Sequence, residues 1–424
     1  MRIWIDFTDF MKWRGPVTGI QRVVVNMALE LRHQDIPLSY FKWNGGFFEE
    51  IDSALAEKAL VTKSGIYRAE NSDEAGADKA GFMPQFKRLY DRSPSLGQRL
   101  AFALRRRIEE IAILGRRMSR PWKTKPLDVA EGDAVLILGN NWDASYMPYL
   151  WSLKRKHGFK LCQIIYDLIP IRFPRYFRPG FATNFERYIR DSLENSDILL
   201  AISQNTKADL LNFANNDGTI RPEIDVIRLG DTSQNASELA IPSLIDKPFV
   251  LTVGTVEIRK NHAALFKVWR SWIKKGERPP LLVMSGRKGW LVDDLFKELK
   301  DDLELAKYVV YLEQTSDAEL AWLYRNCLLT LYPSFYEGWG LPVAEALTYG
   351  KICIASNTSA IPEISPLVDL VDPHDVKEIA NSIAKYCNSP ELRDHKENLI
   401  RASYQPTTWQ ETTASLLTAL KRTI

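Results

Sequence analysis

The pair of glutamates in the stretch SFYEGWGLPVAEAL (334–347) is the feature of this sequence most suited to chemistry. The seven residues between Glu337 and Glu345 begin with two glycines, an aromatic residue, a leucine and a proline: Gly338, Trp339, Gly340, Leu341 and Pro342. The preceding apolar run, LLTLYPS, predicts a strand, and Pro342 is a favourable first residue for a helix. Glycines in such a turn let backbone N–H groups approach a ligand, and a helix N-terminus favours phosphate.

The positions of the two carboxylates predict different tasks for them. Glu337 precedes the turn and lies close to the strand end. We expect Glu345 in the first turn of the helix, where it can accept hydrogen bonds from a sugar diol. One acid on each side of a phosphate cradle suits a ligand with a sugar at both ends of a diphosphate. The helix dipole also favours a first-turn acid without any ligand, so Glu345 alone does not decide between these interpretations.

A second loop, TVGTVEIRKNH (252–262), brings Arg259 and Lys260 to the predicted start of the next helix, which Asn261 is expected to cap. Two cations beside free backbone N–H groups make an anion site. Taken alone, the same residues are equally typical of a solvated charged loop. Together with the glycine turn, they indicate a diphosphate ligand.

Two loops of the N-terminal half carry further candidates. RGPVTGIQR (14–22) joins the first predicted strand to the first helix, and its bend holds Gly15 and Gly19, where backbone N–H groups can face a phosphate. IIYDLIPIRFP (164–174) places Asp167 at a strand end. Ligands of open parallel α/β sheets bind beyond the C-terminal ends of the strands, so both loops are candidates. The alternatives are an ordinary tight turn for the glycines and a helix cap for Asp167.

The elements that must position these loops follow an alternating pattern. Short apolar runs such as PFVLTVG, LLVMSG and KICIAS alternate with helical patterns, and RIWIDF, AVLILGNN and DILLAIS repeat this less cleanly in the N-terminal half. Continuous apolar runs predict parallel strands buried on both faces. We therefore predict an N-terminal α/β domain over 1–240 and a C-terminal one over 246–405, joined through the polar segment 231–248. An amphipathic helix over 408–424 is expected to complete the N-terminal domain.

The composition limits the class of protein. With 424 residues, 45% hydrophobic and 26% charged, the chain is expected to fold as a globular protein, and a net charge of +3 does not indicate nucleic-acid binding. The four cysteines lack metal-ligand spacing and the five histidines are scattered, so we expect reduced thiols, no metal and a cytoplasmic location. The N-terminus lacks a signal-peptide pattern, and no apolar run reaches the length of a membrane span.

A basic insertion over 84–126 interrupts the N-terminal half. Between residues 87 and 125 there are twelve Lys and Arg against three Asp and Glu, and apolar residues recur at three- and four-residue steps over 96–118. A basic helix with one apolar stripe is typical of peripheral binding to an anionic membrane surface. The alternative is a basic helix packed on its own domain.

The combination of motifs resembles the retaining glycosyltransferases of family 4. EGWGLPVAE, from Glu337 to Glu345, is similar to that family's E-x7-E signature, and VGTVEIRKNHAALFKVW resembles its phosphate-strand segment. AISQNTKADLL, YDLIPIRFP, SNTSAIPEI and TGIQRVVVNMALEL are further similarities, which together cover nearly the whole chain except the insertion. The resemblance implies a GT-B fold, with two Rossmann-like domains of parallel sheets facing across a cleft and a C-terminal helix crossing back to the N-terminal domain.

The resemblance also implies residue roles. Glu345 would bind the nucleotide ribose, Glu337 the donor sugar, and Lys260 and Arg259 the leaving diphosphate. The backbone of Gly338, Trp339, Gly340 and Leu341 would lie near the sugar and phosphates, and Gly19 near the phosphates. Two departures are notable: Tyr166 precedes Asp167 where many relatives have histidine, and Thr255 stands where many have arginine. The family works without a bound metal or other cofactor, and no general base is nominated, although Asp167 is kept as a catalytic candidate.

The implied function is retaining transfer of a sugar from a nucleoside-diphosphate sugar. The motif wording favours GDP-mannose as donor and a lipid-linked or polysaccharide acceptor in bacterial cell-surface glycan synthesis, with UDP-glucose and dTDP-rhamnose as other donors. Contact of 96–118 with an anionic membrane would place the protein peripherally on the inner face of the plasma membrane. Two alternatives remain: a non-catalytic sugar-nucleotide-binding assembly protein and a GT-B sugar-nucleotide epimerase.

Overall fold

A computed structural model describes residues 1–13, 19–63, 125–142, 146–217, 222–231 and 238–423. The predicted amphipathic helix 96–118 and all but the last two residues of the insertion 84–126 lie outside these ranges, as does Gly15. The described strands form two sheets, one of seven strands and one of six.

The seven-stranded sheet has the order β3-β2-β1-β4-β5-β6-β7. Its strands are β1 Ile3–Asp6, β2 Leu38–Trp43, β3 Phe48–Ile51, β4 Ala134–Ile137, β5 Lys160–Ile165, β6 Ile198–Ala201 and β7 Glu223–Val226. The neighbours β2, β1, β4 and β5 pair in parallel, whereas β3 pairs with β2 antiparallel. Every residue of β1, β4 and β6 is buried, as expected for strands covered on both faces.

The six-stranded sheet is entirely parallel, with the order β10-β9-β8-β11-β12-β13. Its strands are β8 Phe249–Val253, β9 Leu281–Ser285, β10 Val309–Leu312, β11 Thr330–Tyr332, β12 Cys353–Ser356 and β13 Asp369–Val371. From β8 the chain moves outward in one direction to β9 and β10, and from β11 in the other direction to β12 and β13. The order therefore reverses between β8 and β11.

The helices connect the strands as the sequence pattern predicts. Before β8 they are Thr8–Lys12, Ile20–Arg32, Ser53–Lys63, Met147–His157, Ile169–Arg172, Phe181–Asn195 and Gln204–Asp217, with 3-10 turns at Pro174–Tyr176 and Pro242–Leu244. After β8 they are His262–Lys274, Asp293–Asp301, Leu303–Ala306, Asp317–Asn326, Leu341–Thr348, Val376–Cys387, Pro390–Ser403 and Trp409–Thr423, with 3-10 turns at Ile258–Lys260 and Ile361–Glu363.

The chain divides into two compact units. One comprises Met1–Ile164, Arg187–Leu199 and Leu416–Ile424, and the other Ile165–Glu186 and Leu200–Ser415. The division falls within the final helix, Trp409–Thr423, so its last residues belong to the first unit. The domain bounds 1–240 and 246–405 remain a prediction from sequence.

Several described elements were absent from the sequence prediction: the hairpin of β2 and β3, the helices Thr8–Lys12, Ser53–Lys63 and Pro390–Ser403, and the short strand β13. The hairpin turns at Asn44 and Gly45, and an Asn-Gly pair between apolar runs is a strong hairpin signal. The sheet therefore carries one antiparallel edge strand in addition to the predicted parallel strands.

Candidate functional site

The candidate site lies where the strand order of the six-stranded sheet reverses. The loop after β8 carries Arg259 and Lys260 in the 3-10 turn Ile258–Lys260, and the loop after β11 carries Glu337. Loops at the carboxyl ends of two neighbouring parallel strands with diverging connections enclose the crevice where α/β sheets bind ligands. The two stretches that the sequence singled out separately therefore meet at one place.

Glu337 joins the two cations. Its Oε2 lies 2.6 Å from Nη1 of Arg259, and its Oε1 accepts a hydrogen bond from Nζ of Lys260 at 2.7 Å. The three side chains are 8%, 12% and 12% exposed, so the charges are largely removed from water. Buried ion pairs with direct hydrogen bonds hold their geometry far better than exposed ones. Both carboxylate oxygens of Glu337 are thus engaged in holding Arg259 and Lys260.

Two further side chains in this cluster were not predicted from sequence. Glu257 accepts a hydrogen bond from Nη2 of Arg259, and the hydroxyl of Tyr332, on β11, accepts one from Nζ of Lys260. Glu257 is visible two residues before Arg259 and could have been inferred from that proximity. Tyr332 gives no such signal because it is separated from Lys260 by 72 positions and reads as an ordinary strand residue.

The charges in the cluster shift one another's pKa values. Burial alone would raise the pKa of Glu337, but Arg259 and Lys260 outweigh it and lower the pKa to about 2. Burial would lower the pKa of Arg259, yet Glu337 and Glu257 hold it above its usual value. For Lys260, burial wins and the pKa is lowered, with Glu337 opposing and Arg259 assisting the shift. The cluster is therefore one coupled electrostatic unit.

Asp167 stands beside this unit. Burial raises its pKa to about 6, while the charge of Arg259 and a hydrogen bond from the backbone N–H of Ile169 at 2.9 Å oppose the rise. Glu337 is a further electrostatic neighbour and raises the value. Asp167 lies one residue before Leu168, the N-cap of the helix Ile169–Arg172, so it accepts a hydrogen bond at the helix start without being the cap residue itself.

The glycine turn is shaped by packing. A Cβ on Gly338 would lie 2.0 Å from the carbonyl oxygen of Tyr166, so this glycine permits close approach of two backbone segments. Gly340 is the N-cap of the helix Leu341–Thr348 and has φ of 148°, a conformation that side chains disfavour. Trp339 between them is 6% exposed, with the guanidinium carbon of Arg228 5.4 Å from its ring centroid.

Glu345 occupies a different position from the one predicted. The helix begins at Leu341, one residue earlier than expected, so Glu345 is its fifth residue and the prediction of a first-turn acid is wrong. Glu345 is 9% exposed, and its Oε2 accepts a hydrogen bond from the hydroxyl of Tyr324 at 2.9 Å. The helix dipole therefore does not explain this acid, because the effect fades beyond the first turn.

Two further residues were predicted to bind the donor, Thr255 and Gly19. Thr255 follows β8 and packs against Gly289, where an added Cβ would come within 2.8 Å of its methyl group. Gly19 belongs to the first compact unit and is the N-cap of the helix Ile20–Arg32. The roles of Thr255 and Gly19 toward a ligand remain predictions.

Two searches of the described ranges gave negative results. Within residues 1–13, 19–63, 125–142, 146–217, 222–231 and 238–423, no three or more His, Cys, Asp or Glu side chains are grouped so that they could hold a metal ion. In the same part of the chain, no helix combines the length and apolar character needed to cross a bilayer.

Comparison of the sequence with known families and proteins places this site in context. Residues 238–405 match the family model described as glycosyl transferases group 1. O-antigen chain mannosyltransferase B of Escherichia coli is 25% identical over 262 residues, which are 60% of this chain and 68% of that protein. The serotype-specific mannosyltransferase WbdA of Escherichia coli is 27% identical over 206 residues, 45% of this chain but only 25% of WbdA.

Comparison of the structure with solved structures establishes the fold. Sucrose-phosphate synthase of Thermosynechococcus elongatus aligns with a TM-score of 0.62 at 16% identity, over 99% of this chain and 98% of that one. HepE of Anabaena, in complex with UDP and glucose, aligns with a TM-score of 0.59 at 14% identity over 100% of both chains. The predicted fold class is thereby confirmed, and the predicted resemblance to glycosyltransferases is confirmed over residues 238–405. Residues 238–405 form a glycosyltransferase group 1 domain, and the chain as a whole has the GT-B fold of these solved structures.

Proposed function

We propose that this glycosyltransferase moves mannose from GDP-mannose, with retention of configuration, to a lipid-linked or polysaccharide acceptor in bacterial cell-surface glycan synthesis. The observation that carries the proposal is the buried pair of cations, Arg259 and Lys260, fixed by Glu337 at the reversal point of the sheet. The mannosyltransferase names of the Escherichia coli relatives support the choice of mannose. This chain aligns with only 25% of WbdA, so the donor and the acceptor are both part of the proposal.

The reaction places negative charge where these cations lie. The bond between the anomeric carbon and the β-phosphate oxygen breaks, and the electron pair stays on the diphosphate. A bond forms from the acceptor hydroxyl oxygen to the anomeric carbon, and the acceptor proton passes to the leaving phosphate oxygen. Preorganised cations in a site that excludes water stabilise such charge without reorganising. Lys260 and Arg259 therefore stabilise the departing diphosphate.

The geometry of Lys260 fits that task. An ammonium group has three N–H donors. Two of them go to Glu337 and Tyr332, and the third has no acceptor among the described residues. Fixing two donors limits the rotation of the ammonium, so the remaining donor is held in one direction. We assign that donor to an oxygen of the leaving phosphate.

Glu337 then acts first by holding Arg259 and Lys260 in position, since both of its oxygens face these cations. Contact between Glu337 and the donor sugar, which the family resemblance implies, belongs to this proposal as well. Glu345 binds the ribose of the nucleotide, and the backbone of Gly338–Leu341 lies along the sugar and phosphates. The reaction uses no resident metal or other cofactor in this proposal, because Arg259 and Lys260 supply the positive charge.

Location and partners complete the proposal. The enzyme works in the cytoplasm, at the inner face of the plasma membrane, where the basic segment 96–118 contacts anionic lipid and a lipid-linked acceptor is within reach. The composition of the sequence around that segment supports this, with twelve basic residues against three acidic ones between 87 and 125. Deleting 96–118 should then abolish co-sedimentation with phosphatidylglycerol vesicles, and continued co-sedimentation would contradict the membrane contact.

Donor identity is tested by thermal unfolding with GDP-mannose, UDP-glucose and dTDP-rhamnose. A ligand that binds only the folded state raises the melting temperature. We expect the largest rise with GDP-mannose and a smaller rise in Lys260→Ala, whereas Lys288→Ala, which changes a half-exposed lysine of the same sheet edge, should respond as the wild type does. A larger rise with UDP-glucose or dTDP-rhamnose would overturn the choice of donor.

A further inference from the structure

The carboxylate of Glu345 is held by a tyrosine from a neighbouring helix. Tyr324, in the helix Asp317–Asn326, donates its hydroxyl hydrogen to Oε2 of Glu345 at 2.9 Å. The carbonyl oxygen of Pro342 lies 3.4 Å from the same hydroxyl and is the weaker acceptor. A hydroxyl has one hydrogen to give, and hydrogen bonds to an ionised acceptor are the stronger ones. The carboxylate is therefore the principal partner of Tyr324.

The tyrosine ring is itself fixed. Tyr324 is 1% exposed, and its ring stacks on that of Tyr349 with centroids 5.1 Å apart and planes 10° from parallel. Tyr349 is the C-cap of the helix Leu341–Thr348, which carries Glu345. The ring thus packs against the end of the helix while the hydroxyl reaches the acid near its middle. A ring held in this way leaves the hydroxyl little freedom to move away from Glu345.

We propose that Tyr324 is a positioning residue that orients Glu345 toward the ribose hydroxyls, and that selection of a ribonucleoside diphosphate depends on the pair. This rests on the proposed function, in which Glu345 binds the nucleotide ribose. A long glutamate side chain has several rotamers, and binding through a mobile carboxylate loses the entropy of fixing it. The hydrogen bond from Tyr324 removes that freedom before the nucleotide arrives.

The pair of Tyr324 and Glu345 also makes binding sensitive to the loss of ribose hydroxyls from the nucleotide. A buried carboxylate that accepts hydrogen bonds from a diol loses those bonds when the analogue lacks the diol. Sites built to bind a hydroxyl reject the analogue that lacks it for this reason. The selectivity should fall when Glu345 is no longer oriented, even though the carboxylate is still present.

The test is calorimetric titration of the full chain with GDP and 2′,3′-dideoxyGDP, and in parallel with UDP and 2′,3′-dideoxyUDP. Tyr324→Phe keeps the stacked ring and removes only the hydroxyl. Tyr386→Phe is the matched control, because Tyr386 is also buried and also donates to a carboxylate, that of Asp369, on other elements of the same unit. Glu345→Gln serves as the reference for complete loss of the acid.

We expect wild type to bind the ribonucleotide at least about tenfold more tightly than its dideoxy analogue, in line with a hydrogen bond to a charged group. Tyr324→Phe should weaken ribonucleotide binding by about tenfold and leave dideoxynucleotide binding unchanged. Tyr386→Phe should change neither. Only a role in orienting Glu345 predicts a loss confined to the ribonucleotide.

Other outcomes separate the failure of this inference from that of the proposed function. Loss of selectivity in Glu345→Gln together with wild-type binding by Tyr324→Phe would overturn the role of Tyr324 and leave that of Glu345 intact. Equal weakening of both nucleotides by Tyr324→Phe would overturn it too, because the hydroxyl would then be merely structural. Wild-type selectivity in Glu345→Gln would overturn the ribose role itself, and with it this part of the proposed function.

Discussion

Nη1 of Arg259 lies 2.6 Å from Oε2 of Glu337, and the same nitrogen donates to the carbonyl oxygen of Tyr336 at 2.6 Å. The neighbouring backbone and the carboxylate therefore hold one end of the guanidinium together. Lys260 occupies the other oxygen of Glu337, so one carboxylate fixes both cations of the site.

Replacing Lys260 by alanine removes the cation assigned to the leaving diphosphate. We expect kcat to fall by roughly 10²–10³-fold, as for loss of one preorganised donor to developing negative charge, with a smaller change in KM. The measurement is the rate of nucleoside-diphosphate release under saturating donor. Lys288→Ala, at a half-exposed lysine paired with an exposed aspartate, is the control and should retain turnover. Near-normal turnover in Lys260→Ala would contradict the assignment.

Replacing Glu337 by glutamine leaves two buried cations without their shared partner. Removing one member of a buried ion pair is costly, and we expect the free energy of unfolding at pH 7 to fall by about 3 kcal/mol. Urea unfolding of wild type and Glu337→Gln measures the difference. Equal stability at pH 7 would show that the ion pairs seen here do not hold the site together.

The same variant changes how stability depends on pH. The pKa of Glu337 is about 2 in the folded protein against 4.5 without perturbation, so its ionised form is favoured by folding. That contribution is fully present above pH 4.5 and is lost as the pH falls toward 2. The stability gap between wild type and Glu337→Gln should therefore narrow between pH 5 and pH 3 in urea titrations. A gap that stays constant across this window would contradict the lowered pKa.

Asp167 should make the stability depend on pH in the opposite sense to Glu337. Its pKa is raised from 3.8 to about 6 by burial, so folding favours the protonated form, and stability falls as the pH rises through that window. Asp167→Asn mimics the protonated acid, and its stability relative to wild type should rise between pH 4 and pH 7. Urea unfolding at both pH values provides the comparison. A relative stability that decreases with pH would show that Asp167 is stabilised as an anion.

Gly338 should not tolerate a side chain. A Cβ at this position would lie 2.0 Å from the carbonyl oxygen of Tyr166 and 3.0 Å from Cβ of Asp167, so the two loops must separate. We expect Gly338→Ala to lower the free energy of unfolding by about 1–3 kcal/mol, as for overpacking elsewhere. Gly139→Ala is the control, because its nearest contact is an ordinary 3.7 Å. Matching stabilities of the two variants would contradict the close approach.

Much of the site could be predicted because it rests on local features. Arg259 and Lys260 precede a helix after a strand, and Glu337 precedes a glycine turn after another, so the rule for parallel sheets places them on one edge. That Glu337 binds both cations could not be predicted, since residues 77 positions apart meet only through the sheet order. Apolar runs predict that strands are buried, but they do not predict which strands are neighbours in the sheet.

The contacts of Tyr332 and Tyr324 could not be predicted from the sequence for the same reason. Tyr332 reads as a strand residue and Tyr324 as part of a helix face, and their hydroxyl partners lie 72 and 21 positions away. The predicted position of Glu345 in its helix was wrong by one residue, because Gly340 is the N-cap and the helix begins at Leu341 rather than at Pro342. Packing decides such details, and one residue is enough to move an acid out of the first turn.

The most direct test of the central claim is transfer of labelled mannose from GDP-mannose to a lipid extract of a polysaccharide-producing bacterium, with GDP release measured in the same reaction. The account predicts incorporation of label with one GDP released per mannose transferred, retention at the anomeric carbon, and loss of both signals in Lys260→Ala. Binding of GDP-mannose without transfer or GDP release would contradict it and favour a non-catalytic assembly protein. Conversion of the donor to its epimer without transfer would contradict it in favour of an epimerase.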